Sequence, residues 1–182
     1  MKRVLLFALP LLLWLPRSGY SQENPKVEIF GGYSFFRANE FDYVTTNLHG
    51  FNASVAANLN SWLGVEGDFG GHFGSPSVGP FRVPYVDVNV YSFMGGPKIA
   101  YRGSSALTPF AHALIGTTHA SAGAFGLDYG RNALSAVVGG GLDVRLSDHV
   151  AIRAVQADYF MTRFFDERQN NVRLSGGIVF RF

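Results

Sequence analysis

Charged side chains in this sequence sit at alternate positions within stretches otherwise built from small and apolar residues. Glu66, Asp68, Lys98, Asp143, Arg145, Arg173 and Arg181 each fall on the polar face of such a stretch, and Arg153 does the same. If those faces converge on one enclosed space, unpaired charge there is costly, so acids and bases must pair across it or line water. Fixed pairs predict a salt-bridge plug. A mobile network predicts a gate or a narrow pore.

Five histidines offer a different chemistry: His49, His72, His112, His119 and His149. No His-x-His pair shares a face and no HExxH occurs, so neither a metal site nor a cofactor is expected, and interface or pore-wall positions suit these rings better. His112 and His119 are seven residues apart, which puts them on opposite faces of an unbulged strand. His72 with Asp68, and His119 with Ser121, approach one rim and are the groups that a lipid-active enzyme would use. A triad is recognised by geometry rather than by proximity in sequence, so no catalytic residue is assigned and loop anchoring is the favoured reading. The chain has no cysteine, which excludes disulfides, thiolate zinc sites, iron–sulfur clusters and a cysteine nucleophile.

The elements that carry these residues are strands, because the apolar pattern repeats every two residues and seldom at helical spacing. Eight are expected, at 26–36, 48–58, 62–71, 88–101, 108–120, 132–146, 150–164 and 171–182. Longer links (37–47, 72–87, 121–131, 165–170) alternate with shorter ones (59–61, 102–107, 147–149). With both ends on the short-turn side, the longer links share one rim, as in an up-and-down barrel. The seventh strand contains a conflict. Ile152 and Ala154 point outward with Arg153 inward, yet Gln156 and Asp158 share the outward parity. A β-bulge near Ala154–Val155 resolves it, turning Gln156 and Asp158 inward and Tyr159 outward.

The amino terminus reads as an export signal. Lys2 and Arg3 precede the uncharged run Val4 to Pro16, too short for a spanning helix and weakened by Pro10. Small residues Gly19 and Ser21 place cleavage after Ser21, giving a signal peptide at 1–21 and one domain at 22–182. Without Lys2, Arg3 and Arg17, twelve basic groups face thirteen acidic ones, so the basic character belongs to the leader and nucleic acid is not an expected partner.

The polarity of the wall decides which side faces what. In the last strand Leu174, Gly176, Ile178, Phe180 and Phe182 share one face, while Arg173, Ser175, Gly177, Val179 and Arg181 share the other. Across the chain the polar faces favour glycine, alanine, serine and asparagine over lysine and glutamate, and only 15% of residues are charged. A water-facing surface carries about a quarter to a third charge. The polar face is therefore the narrow interior and the apolar face meets lipid, which only a closed barrel permits. The fold class is all-β: an eight-stranded antiparallel up-and-down transmembrane β-barrel preceded by a cleaved signal peptide. Trp62, Tyr101 and Phe182 near the turn side, with Tyr33, Phe35, Tyr159 and Phe160 near the loop side, are expected to form two aromatic girdles. The proline-stiffened loop from Gly74 to Tyr85 displays Phe81, Arg82 and Tyr85 as a possible contact for an extracellular ligand.

These features together resemble the small outer-membrane β-barrel family that includes the OmpA transmembrane domain and OmpX. The closing Ile178, Phe180 and Phe182 resemble the C-terminal signal read by the barrel-assembly machinery, and Ser92–Lys98 (SFMGGPK), Thr108–Leu114 (TPFAHAL) and Gly139–Asp143 (GGGLD) add to the likeness over residues 22–182. The resemblance implies location in a Gram-negative outer membrane, with outer-membrane lipid and the assembly machinery as partners. It implies no single activity. The expected role is non-enzymatic, structural or surface-interacting, with the lumen mostly closed by internal salt bridges. The alternatives are a small pore with a mobile charge network and an outer-leaflet lipid-modifying enzyme.

Overall fold

In the computed structural model, which describes residues 25–40, 44–74, 87–103, 106–124, 127–164 and 167–182, the chain forms a closed antiparallel barrel. The expected leader and the loop residues Phe81, Arg82 and Tyr85 lie outside the described residues. The strands are β1 (Val27–Glu40), β2 (Val44–Asn58), β3 (Leu63–Gly74), β4 (Asp87–Ala100), β5 (Leu107–Ala124), β6 (Leu127–Arg145), β7 (Val150–Phe164) and β8 (Glu167–Arg181). Each pairs with its neighbour in sequence, and β8 returns to β1 with Glu28 opposite Arg181 and Arg37 opposite Val172. At the base of that seam, Lys26 N and Val27 N donate to Phe182 O at 2.6 and 3.1 Å, and Phe182 N donates to Val27 O at 2.9 Å. Higher up, Gly32 faces Gly177, where a Cβ on either would lie 2.1 to 2.3 Å from a carbonyl oxygen of the partner strand. Only glycine allows this close approach. Closure leaves no unpaired strand edge among the described residues.

The strands reach further toward the loop rim than the sequence pattern indicates. β1 and β2 stay paired to Glu40 and Val44, and β5 and β6 to Ala124 and Leu127, through positions expected to be links. The physical reason is that a ladder of backbone hydrogen bonds does not need apolar alternation, so pairing continues where the sequence pattern ends. Alternation vanishes there while pairing does not.

Burial alternates along most of the wall. On β3, Leu63, Val65, Phe69 and Phe73 face outward, and Glu66, Asp68 and His72 face inward and are buried. On β8, Leu174, Ile178 and Phe180 are exposed outward while Arg173, Ser175, Val179 and Arg181 are buried inward. Between Lys26 and Arg37, the outward face of β1 is Val27, Ile29, Gly31, Tyr33 and Phe35. Eleven residue steps at ~3.3 Å each, tilted by ~40°, rise about 28 Å, close to the ~25 Å apolar band of outer-membrane barrels. Trp62 and Tyr101 are exposed at the turn side, and Tyr33 and Tyr159 at the loop side. Phe160 is a correction: it is 1% exposed and faces the lumen.

That correction follows from a β-bulge. Pairing with β6 skips Ala154, since Leu142 opposes Val155 and Asp143 opposes Arg153, and pairing with β8 shifts between Arg153 and Gln156. Ala154 and Val155 both face outward, after which Gln156, Asp158 and Phe160 face inward and Tyr159 outward. One extra residue thus reverses the parity of the upper half of β7.

The interior is not polar throughout. Phe36, Leu48, Val90, Met94, Leu114, Val137 and Phe160 form an apolar layer toward the loop rim, and Phe30, Ala151 and Val179 form a smaller cluster toward the turn side. The two rings of Phe36 and Phe160 meet edge to face at 5.3 Å.

Candidate functional site

The inward charges of seven strands assemble into two connected tiers within the lumen. On the turn side, Lys98 Nζ (β4) donates to Glu28 Oε2 (β1) at 3.0 Å, and Arg102 Nη2, just past β4, lies 3.3 Å from the same oxygen. Arg181 (β8) bridges Glu28 at 3.4 Å and Asp143 (β6) at 3.6 Å. Arg153 (β7) closes the tier, donating from Nε and Nη2 to the two oxygens of Asp143 at 2.8 and 3.3 Å. Its guanidinium is sandwiched between the rings of Phe30 and Phe110, each centroid 4.2 Å away. Those contacts replace hydration with π faces, which a buried guanidinium tolerates better than an ammonium does.

The central tier is a closed circuit. Glu66 Oε2 (β3) lies 2.9 Å from His112 Nδ1 (β5), and His112 Nε2 lies 2.9 Å from Asp158 Oδ1 (β7). Arg173 (β8) donates from Nε to Asp158 Oδ2 and from Nη1 to Asp68 Oδ1 (β3), both at 2.8 Å. Asp68 and Glu66 are two residues apart on the same strand, so the circuit returns to its start. Asn52 Nδ2 (β2) adds a bond to Asp68 Oδ2 at 2.7 Å. Gln156 joins the tiers, accepting from Arg153 Nη1 and donating to Asp158 Oδ2, each at 2.7 Å.

Local sequence explains how these groups reach one another. The bulge at Ala154–Val155 turns Gln156 and Asp158 into the lumen. Gly139 on β6, opposite both His112 and Asp158, supplies the room: a Cβ there would stand 2.1 Å from Asp158 Oδ1. Small inward residues such as Ser34, Ser54, Ser92 and Ser175 leave space for the long charged side chains elsewhere.

Of the residues expected in an interior network, Glu66, Asp68, Lys98, Asp143, Arg153, Asp158, Arg173 and Arg181 are brought together in these tiers. Arg145 is not. It lies at the turn-side end of β6, exposed where its strand leaves the wall, so its parity alone does not bury it. Glu28, Arg102, Asn52, His112 and Gly139 belong to the assembly and were not assigned to it from sequence. The inward parity of Thr108, Phe110, His112 and Leu114 was the available signal for His112. Ile178, Phe180 and Phe182 line up on the outward face, beside the seam at Phe182.

The enzymatic pairings do not form. His72 Nε2 meets Ser34 Oγ at 2.8 Å, while Asp68 is held by Arg173 and Asn52. His119 faces outward and its Nδ1 meets Asn132 Oδ1 at 2.7 Å. No group of three potential metal ligands occurs among the described residues.

Comparison with known proteins agrees with this architecture. The family described as outer membrane protein beta-barrel domain matches residues 6–182. Solved structures with the same fold include Neisserial surface protein A, 15% identical with a TM-score of 0.72 over 86% of this chain and 97% of that one. Ail, the attachment invasion locus protein of Yersinia pestis, is 25% identical with a TM-score of 0.61 over 87% of this chain and 99% of its own. OprG of Pseudomonas aeruginosa is 11% identical with a TM-score of 0.57 over 88% and 97% of the two chains. No curated protein matches the sequence.

Proposed function

Because the chain belongs to the outer membrane protein beta-barrel domain family, and so to the bacterial outer membrane, we propose that it is a non-enzymatic barrel with a closed lumen that presents its loop rim to the outside. One observation carries this reading: two tiers of ion pairs link strands across the lumen, and on their loop side lies an apolar layer of side chains no more than 8% exposed. An eight-stranded wall encloses only enough space for side chains, and they occupy it. Each carboxylate of the tiers faces at least one basic side chain, so water gains little by entering. The leader at 1–21 exports the chain, and Ile178, Phe180 and Phe182 engage the assembly machinery during insertion.

With the lumen closed, function resides on the surface. Ail, which shares the barrel at 25% identity, is an attachment and invasion protein by its name, and this supports a surface-interaction role for the loops of this chain. The loop containing Phe81, Arg82 and Tyr85 is the segment proposed to meet an extracellular ligand.

The test is efflux from liposomes containing the refolded protein. Retention of a small trapped solute, with lipid composition unchanged after incubation, is the expected result. Rapid release of solute would favour the pore, and modified lipid would favour the enzyme.

A further inference from the structure

Resting on the reading of a closed lumen, we propose that His112 is a doubly protonated strut, an imidazolium bound between Glu66 and Asp158, and that closure at this level depends on its proton. A neutral imidazole has one N–H donor and one acceptor nitrogen, and a carboxylate only accepts. Yet each ring nitrogen of His112 stands 2.9 Å from a carboxylate oxygen, and the three side chains are 0% exposed. With a neutral ring, one of those contacts sets lone pair against lone pair in a place where no solvent relieves it. Two donors satisfy both contacts.

The nearest carboxylates favour the same charge. The central circuit holds Glu66 and Asp68 from β3 and Asp158 from β7, against the guanidinium of Arg173 from β8. Lys98 on β4 is the backbone partner of His112, but its ammonium is engaged by Glu28 of β1 at 3.0 Å. Arg153 of β7 is committed to Asp143 of β6 and Gln156. From β2 comes Asn52, neutral and bonded to Asp68, and β6 contributes Gly139, without a side chain. The imidazolium is thus the second cation of a circuit with three carboxylates.

The strut also has reach. β3, β5 and β7 are alternate strands of eight, so Glu66–His112–Asp158 crosses the lumen rather than joining neighbours in the wall. Loss of the proton leaves His112 one donor and frees one carboxylate. Glu66 is the one to part, since its Oε1 already lacks a hydrogen-bond partner, whereas Asp158 keeps Arg173 and Gln156. A released, charged Glu66 draws water into the lumen.

Two measurements test this on the full barrel in nanodiscs. Nitrogen NMR of the ring in the wild-type chain reads the proton directly, and N–H signals from both nitrogens of His112 at neutral pH are expected. The second uses Ser92→Cys, which places the chain's sole thiol on the lumen face of β4, between Val90 and Met94 of the apolar layer and near Arg173 of the central circuit, with labelling by a small water-soluble thiol reagent. Rates are normalised to Ser147→Cys on an exposed turn, which removes the pH dependence of the thiolate itself. Normalised labelling is expected to rise about tenfold per pH unit once the ring begins to lose its proton, the slope of a one-proton transition. His112→Gln with Ser92→Cys should label at a rate independent of pH. A ring carrying one N–H at neutral pH, or labelling that stays flat while the ring deprotonates, overturns the strut. Fast labelling at every pH, acid included, overturns the closed lumen instead.

Discussion

Arg173 makes demanding contacts. It is fully buried and serves two carboxylates on different strands, Asp68 and Asp158. Replacement by methionine keeps the volume and removes the charge, leaving both acids short of a cation. Breaking a buried pair in this way costs about 3–5 kcal/mol, so Arg173→Met should unfold at a markedly lower temperature in detergent, read from the loss of the compact band on an unboiled gel. Gly139 acts through space rather than charge. Gly139→Ala places a methyl group 2.1 Å from Asp158 Oδ1 and 2.7 Å from the carbonyl oxygen of Ala157, so the carboxylate is pushed from His112 and the β6–β7 backbone must also give, with a loss of at least about 1–3 kcal/mol in the same assay. Wild-type stability in either variant would mean that the central circuit does not hold the barrel together. At this scale the sequence was only partly legible. Parity showed which charges point inward, because it is a local property. Partnership is not: Lys98 and Glu28 are seventy residues apart, and His112 meets acids forty-six residues away on either side. Parity turns Glu28 and His112 inward as well, although neither was assigned to the network, and Arg145 was included because parity says nothing about depth.

Among the elements, β7 shows how much a single inserted residue controls. Without the bulge, Gln156, Asp158 and Phe160 would face the bilayer and Tyr159 the lumen. The conflict between an apolar outward face and Asp158 was visible in the sequence, so the bulge was legible as the cheapest resolution. Its consequence for Phe160 follows from the same shift, although the aromatic pattern alone suggests a girdle residue. Deleting Val155 alone is predicted to remove the bulge and leave plain alternation, with Ala154, Ala157 and Tyr159 outward and Gln156 and Asp158 still inward, so that variant should give a heat-modifiable barrel. Deleting Ala154 and Val155 together leaves no spare residue, turns Asp158 onto the lipid face and should abolish the heat-modifiable band. A compact double-deletion variant would show that the register is set by something other than the residue count at the bulge. The strand ends were less legible, because backbone pairing continues past the stretches of apolar alternation.

On the scale of the whole molecule, the wall and its contents answer to different rules. The wall is specified by period-two alternation and by closure of β1 onto β8, and it came through in the sequence nearly complete. The contents are specified by balance. Glu28, Glu66, Asp68, Asp143 and Asp158 are met by Lys98, Arg102, Arg153, Arg173, Arg181 and the ring of His112, with the apolar layer of Phe36, Leu48, Met94, Leu114, Val137 and Phe160 above them. Composition could not reveal that second layer, since the same phenylalanines and leucines also dress the outside. On the proposed reading, the layer and the ion pairs both obstruct the lumen, the layer packing directly against the central circuit with Phe36 opposite Arg173 and Met94 opposite Asp68. Single-channel recording in planar bilayers at neutral pH tests this most directly. The wild-type chain should insert and remain electrically silent, and Arg173→Met should show at most brief openings because the apolar layer survives. Stable unitary conductance steps from the wild-type barrel would contradict the closed lumen, and a surface role resting on that closure would fall with it.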